Sequence, residues 1–390
     1  MPSIELIETM KTTPSMEKPL IVSQTWQSPG PAAFDFRTDT ITTPGYTMLQ
    51  AIAQTTLMDD VYQEDTTTYD LEAYIASLTG KEAGLLVMSG TMGNQIALRS
   101  LLTQPPHAIL CHHKAHVLIL EAGGCSSLSQ AHMQPVRPET NGWYLTLEDI
   151  QREVVISNNI HVCPTRVIVL ENTLDGIITP LAECQRISAF ARENNILMHL
   201  DGARIWEVVA SGAGSLTDYL ACFDTAQLCF SKGLGAPIGS MIVGPAKTLE
   251  HCRWVRKSIG GGIRQAGIIA SAARVAVDEQ FGLGRNGEGG RLKKTHELAK
   301  RVEGIWLKRG GKVSRLVQTN MVWLDLAHMN VSVVDFIEAG QAEGVKLMGA
   351  RLVIHFQICE DAVVRLERVI DRILTGKKTS GVGNGASIYT

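Results

Sequence analysis

The sequence has no apolar run near the roughly 20 residues that a membrane helix requires, so no membrane span is expected. It has little charge of one sign. Its 36 basic and 39 acidic side chains leave a net charge of −3, too weak a field to argue for nucleic acid or an anionic membrane surface. It has eight cysteines, at 111, 125, 163, 184, 222, 229, 252 and 359, but no CxxC pair. That spacing suits neither a disulfide frame nor a zinc site, and no metal is expected. Several of the cysteines sit inside apolar runs and read as buried thiols in a reducing, cytoplasmic setting. Residues 1–33 mix Glu, Lys, Thr and Pro without an apolar signal core, and read as a mobile arm rather than a targeting peptide. There is no internal repeat.

What is present is an ordinary globular composition, 45% apolar and 19% charged over 390 residues, too long for one ordinary core. From residue 68 onward helical and strand patterns alternate. "YDLEAYIASLTG" has helical spacing and ends on Gly80, a C-cap residue. "GLLVMSG", "HAILC", "RVIVLEN", "ILMHLDGA" and "TAQLCFS" are short buried runs. "TMGNQIALRSLL", "PLAECQRISAFARENN" and "RIWEVVASGAGS" are helical, and "GGGIRQAGIIASAARVAVDE" reads as a long helix. This predicts an α/β fold, with a mostly parallel sheet covered by helices over residues 34–284. Residues 285–376 predict a smaller α+β domain with strand-like "MVWLDLA", "VKLMG" and "RLVIHFQIC". Residues 377–390 are a Gly/Ser-rich, mobile tail. In such sheets ligands bind beyond the carboxyl ends of the strands. Ser89, Asn172, Asp201 and Ser231-Lys232 each end or follow an apolar run, and so fall on one rim.

Lys232, in "QLCFSKGLGAPIGS", ends a buried run among small residues. It is either a surface Lys-Gly turn or a desolvated amine able to react with a carbonyl. Asp201, 31 residues earlier, is either a helix N-cap or the acid partner of a pyridinium nitrogen. "SGTMGN" from Ser89 to Asn94 stands between strand and helix. Its backbone N–H groups could receive a phosphate, or Ser89 could simply cap the helix. Arg264, after three glycines, could add charge to the same phosphate or cap a loop.

Together "DFRTDTITTP", "DDVYQED", "GKEAGLLVMSGTMGNQ", "KAHVLILEAGG", "PTRVIVLENTLDG", "LMHLDGARIW", "SKGLGAPIGS", "RKSIGGGIRQAG" and "GARLVIHFQ" resemble the pyridoxal-phosphate (PLP) dependent threonine aldolases of fold type I. The resemblance covers residues 34–375 and is nearest to the fungal low-specificity enzymes. It implies a seven-stranded sheet, PLP as cofactor, a small amino acid as substrate, and a homodimer or homotetramer. It implies Lys232 as the Schiff-base lysine and Asp201 as the ring-nitrogen partner. Gly90, Thr91, Ser231 and Arg264 would hold the phosphate. His116 would stack on the ring near the substrate hydroxyl. Thr38, Arg204 and Arg351 would bind the substrate carboxylate, with Arg204 also beside the cofactor. His161 would assist the base, and Tyr62 and Glu121 would line the pocket.

The chain departs from the family at three positions. Met58 and Gln63 stand where relatives usually have glycine, and Asp175 where fungal relatives often have histidine. All three match the substrate side. The first expectation is retro-aldol cleavage of L-threonine or L-allo-threonine to glycine and acetaldehyde. The alternative is racemisation of alanine or a similar small amino acid, as in fungal alanine racemases of this family, which needs a second acid from among His116, Tyr62 and Asp175. A non-catalytic scaffold of the same fold is the remote reading.

Overall fold

The computed structural model describes residues 26–282 and 289–375. Most of the predicted arm, the whole predicted tail and the predicted domain junction at 284/285 lie outside the described residues.

Seven strands form one sheet in the order β1-β7-β6-β5-β4-β2-β3. They are β1 (Ala83–Val87), β2 (Ala108–His112), β3 (His132–Val136), β4 (Thr165–Glu171), β5 (Leu197–Gly202), β6 (Thr225–Cys229) and β7 (Ser240–Gly244). β7 is antiparallel to both of its neighbours, β1 and β6. The pairings β2–β3, β2–β4, β4–β5 and β5–β6 are parallel. Six strands therefore point one way, and their carboxyl ends make the predicted rim.

β2, β6 and β7 are buried along their whole length, and β4 and β5 nearly so, because successive side chains go to opposite faces and helices cover both. Leu86, Leu110, Ile168, Leu200 and Leu228 join one cluster with Leu71, Ile75 and Ile205 from helices on that side. On the other face Leu85, Val87 and Ile242 pack on Ile96, Leu249 and Cys252. β3 left no mark in the hydrophobic pattern. It is a half-exposed edge strand carrying Pro135, which an edge tolerates and a centre does not.

Helix ends follow their residues. Gly80 caps the Thr66–Thr79 helix at φ +67, a conformation glycine adopts without strain. The expected long helix after Gly260 is shorter. It starts only at Gly267, runs to Ala276, and widens into a turn over Val277–Phe281. Residues 260–262 are three glycines, which cost a helix more than any residue but proline.

The second core gathers Trp306, Val322, Phe336, Leu352, Val363 and Val369 around the two-stranded pair β8 (Met321–Trp323) and β9 (Arg351–Val353). Phe36, fully buried, belongs to this core, although sequence placed it with the large domain. The chain before the sheet is stitched to the small body. Phe36 N donates to Lys346 O at 3.0 Å, and Val353 N to Phe36 O at 2.9 Å. "VKLMG" forms no full strand; Lys346 makes a single bridge with Asp35. Among the described residues no helix is long and apolar enough to cross a membrane.

Phe36→Ala should lower the unfolding free energy by about 3–5 kcal/mol, the usual range for emptying a buried Phe site. Urea denaturation of the full chain measures this.

Candidate active site

A pocket of about 270 Å³ opens at the carboxyl ends of β5 and β6, beside the start of the Gly90–Leu101 helix. Ser89 caps that helix by accepting from Met92 N at 3.1 Å, so the first turn points its N–H groups at the pocket. Gly93 is required by a close approach. A Cβ there would meet Gln227 Cγ at 2.8 Å.

Asp201, the fifth residue of β5, is 2% exposed. Its Oδ2 accepts from Asn94 Nδ2 at 2.8 Å. Its Oδ1 accepts from Gln227 Nε2 at 3.0 Å and from Ala203 N at 3.1 Å. Lys232 follows β6, and its carbonyl is fixed by Gly235 N and Thr42 Oγ1, both at 2.9 Å. Its backbone is thus set by loop and N-terminal segment together, while its side chain shares the pocket wall with Asp201.

His116 opens a one-turn helix at the same pocket. Its Nδ1 lies 2.8 Å from Glu121 Oε1, and its backbone N donates to Glu171 Oε2 at 2.8 Å. The hydrogen bond to buried Glu121 raises the pKa of the imidazole, against desolvation. Glu171 stands opposite Asp201 in register. Burial, helped by the Asp201 charge, pushes its carboxyl up to about 8. Beneath them His199 is fully buried, 2.9 Å from Thr225 Oγ1 and 3.0 Å from Asn94 Oδ1. Burial lowers it to about 4, so it is neutral near pH 7.

The structure brings Lys232, Asp201, His116, Gly90, Thr91 and Ser231 to one pocket wall, along with Ser89, Asn94 and Gln227. Glu121 stands behind His116. The other expected residues are elsewhere. Arg204 turns its Nε and Nη2 to Asp39, at 2.8 and 2.6 Å. Desolvation opposes the charge of Asp39, but Arg204 outweighs it and holds the carboxyl at about 2. Thr38 caps the short turn after it, and Thr40 lines the pocket instead. Arg351 begins β9, with Nη2 donating to Arg37 O at 3.3 Å. Arg264 is exposed, and its carbonyl accepts from Asp60 N at 2.8 Å. Tyr62 is 77% exposed. His161 is exposed in the segment leading into β4, at the sheet end opposite the rim.

Two of the three departures have a structural reading. Gln63 has φ 59 and ψ 38, a left-handed conformation that costs a non-glycine residue about 1–2 kcal/mol, so a glycine suits the backbone at that position. Asp175 pairs with Arg315 at 3.0 Å, and its carbonyl accepts from Trp323 Nε1 at 2.9 Å. Met58 is 51% exposed, and nothing in the structure explains its presence.

The residues that sequence reasoning missed are Asn94, Gln227, His199, Asp39 and Glu171. Gln227 and His199 carried a signal. Each is a polar side chain inside an otherwise apolar strand, where burial demands a hydrogen-bond partner.

The wall fits PLP. It offers one amine (Lys232), one buried carboxylate held by three N–H donors (Asp201), a helix start for a phosphate, and a buried acceptor, Gln227 Oε1, with no protein partner.

The neutral state of His199 carries a pH dependence. Between about 4 and its unfolded value near 6.5 the folded protein holds fewer protons at this site than the unfolded chain. Its contribution to stability is therefore complete above that window and falls as the pH drops through it. His199→Gln lacks it, so the stability gap between wild type and variant should stay constant above about pH 6.5 and narrow toward pH 4. Urea unfolding at several pH values checks this.

The chain matches the beta-eliminating lyase family over residues 35–328. It is 52% identical to "Aldolase vrtJ" of Penicillium aethiopicum over 349 residues, 90% of this chain and 88% of that protein. It is 45% identical to "Alanine racemase TOXG" of Cochliobolus carbonum over 349 residues, 90% of each. It is 44% identical to the "Low-specificity L-threonine aldolase" of Candida albicans over 340 residues, 86% of this chain and 88% of that one. Among solved structures, the threonine aldolase of Leishmania major superposes with a TM-score of 0.73 at 17% identity, covering 88% of this chain and 100% of that one. The serine palmitoyltransferase of Sphingomonas wittichii gives 0.65 at 16% identity, covering 87% and 86%. The sheet, the pocket at its rim and these likenesses agree: the chain belongs to the beta-eliminating lyase family and is a PLP-dependent enzyme of the threonine aldolase group, with the type I fold.

Proposed function

We propose that this enzyme cleaves L-threonine or L-allo-threonine to glycine and acetaldehyde. The observation that carries the reading is His116 at the pocket wall, backed by buried Glu121 and sharing that wall with Lys232 and Asp201. When bound, PLP supplies an electron sink for a bond broken at Cα of an amino acid. Lys232 would hold it by its amine and Asp201 would face its ring nitrogen. The Gly90–Thr91 backbone and Ser231 would receive its phosphate. His116 turns Nδ1 to Glu121, which leaves Nε2 to take the β-hydroxyl proton as the Cα–Cβ bond breaks. Glu121 steadies the resulting imidazolium and makes the ring a stronger base. The resemblance would give the substrate carboxylate to Arg351, which begins β9 outside the described pocket wall and whose fork suits two oxygens. The 52% identity to a protein named an aldolase supports this reading.

A second reading, racemisation of alanine, is favoured by the 45% identity to a protein named an alanine racemase. It needs an acid on each face of Cα. Of the earlier candidates His116 lines the pocket, whereas Asp175 pairs with Arg315 and Tyr62 is mostly exposed. We place the enzyme in the cytoplasm as a homo-oligomer. Eight free thiols fit a reducing compartment. Apolar side chains exposed at Leu57, Tyr62 and Trp254 fit a subunit contact.

The deciding assay incubates the holoenzyme separately with L-threonine, L-allo-threonine and L-alanine in D₂O, and follows acetaldehyde, deuterium at Cα and optical purity. Acetaldehyde from a threonine diastereomer, lost in Lys232→Ala, is expected. Racemised, deuterated alanine with no acetaldehyde would overturn the aldolase reading. Glu121→Gln should lower kcat and move the acid limb of the kcat/KM profile downward, because the neutral amide no longer raises His116. Asp175→Asn should raise KM for the amino acid more than it lowers kcat. Arg315, its partner, stacks over Trp323, which pairs with Arg351 across β8 and β9.

A further inference from the structure

The pocket wall contains an amide with an unusual duty. Asn94 is 1% exposed, and its Nδ2 donates to two buried carboxylates at once, Asp201 Oδ2 and Glu121 Oε1, each at 2.8 Å. The same Glu121 oxygen lies 2.8 Å from His116 Nδ1. One NH₂ group thus joins the carboxylate assigned to the ring nitrogen with the carboxylate behind the base. Such an amide works in one orientation only. Flipped, its oxygen would face both carboxylates, and two buried acceptors would each lose a donor.

His199 supplies the orientation. Its Nε2 is 3.0 Å from Asn94 Oδ1, and its Nδ1 is 2.9 Å from Thr225 Oγ1. Asn94 Oδ1 can only accept, so the imidazole proton sits on Nε2, and Nδ1 accepts from the Thr225 hydroxyl. The donors run in one direction, from Thr225 through His199 and Asn94 to the carboxylates. Asp201 Oδ1 is held separately by Gln227 and Ala203 N, so the relay governs Oδ2. His199 lies on β5, Thr225 on β6 and Asn94 on the helix over the sheet. The relay therefore ties three elements to one carboxylate.

We infer that Asn94 is a positioning residue that aims Asp201 at the ring nitrogen of the cofactor and holds Glu121 behind His116, and that buried His199 fixes which way its amide faces. The inference rests on the assignment of Asp201 as the ring-nitrogen partner.

The test is reconstitution of the apoprotein with PLP. It reads the dissociation constant and the pH profile of the bound cofactor's absorbance, with no substrate present. Asn94→Ala should weaken PLP binding by about 10- to 100-fold, the range seen when an outer partner of a bound group's ligand is removed, and should shift the absorbance profile. Asn94→Asp, which puts a third acid beside two, should weaken it further. His199→Phe, outside the pocket wall, should shift both readouts in the same direction. His199→Gln, whose amide can still donate, should recover most of the loss. A role confined to packing would lower the melting temperature of the apoprotein but leave the absorbance profile of the folded holoprotein unmoved. Wild-type affinity and profile in both Asn94→Ala and His199→Phe, with Asp201→Asn impaired, would overturn the relay alone. Wild-type behaviour in Asp201→Asn would overturn the assignment beneath it as well.

Discussion

A carboxylate taken out of water at the end of β5 is the constraint on which this site depends. Asp201 is almost wholly buried, and a polar group taken out of water without hydrogen-bond partners costs free energy. Three N–H donors offset the lost hydration. Each imposes a condition on another element. Gln227 must come from the neighbouring strand in register. Asn94 must face inward from the first helix after the sheet begins. Gly93 must lack a side chain so that this helix can lie against Gln227. The need to satisfy this one buried carboxylate thus explains polar residues inside β5 and β6, where apolar side chains would otherwise fill the core.

A second buried anion, Asp39, stands outside that pocket wall. Asp39 keeps its charge because Arg204 reaches both of its oxygens, and Asn320 from the small body approaches Oδ2 at 3.4 Å. The pair joins the N-terminal segment to the end of β5. A paired buried charge stabilises less than its short contacts suggest, but losing one partner costs several kcal/mol, commonly about 3–5. The loop after β4 also meets the small body. Ile178 N donates to Gln318 Oε1 at 2.9 Å, and Thr319 Oγ1 to Gly176 O at 3.3 Å. Asp175 and Arg315 close the same seam. Asp175 thus sits at the contact between the two bodies.

Much of this was legible in the residues. Short apolar runs separated by helical spacing pointed to the parallel sheet, because a strand covered on both faces reads as a continuous apolar run. Polar residues at the ends of those runs marked the rim, and Ser89, Asp201, Ser231 and Lys232 do stand there. β3 escaped notice because an edge strand with a proline and exposed side chains has no apolar pattern. The placement of Phe36 escaped it too. A single aromatic near the N-terminus says nothing about which distant core it enters, and that core is completed by residues some 300 positions later.

The sequence by itself determined most of the elements, the rim on which Lys232 and Asp201 stand, and the likeness to the family. These depend on local spacing and on motifs of consecutive residues. Only the tertiary structure decided which polar side chains meet. It turned Arg204 to Asp39, put His161 at the far end of β4, and set Asn94 between two carboxylates with His199 behind it. The physical reason is that hydrogen bonds and ion pairs reach only about 3–4 Å, so their partners are chosen by the crossing of strands and helices rather than by distance along the chain.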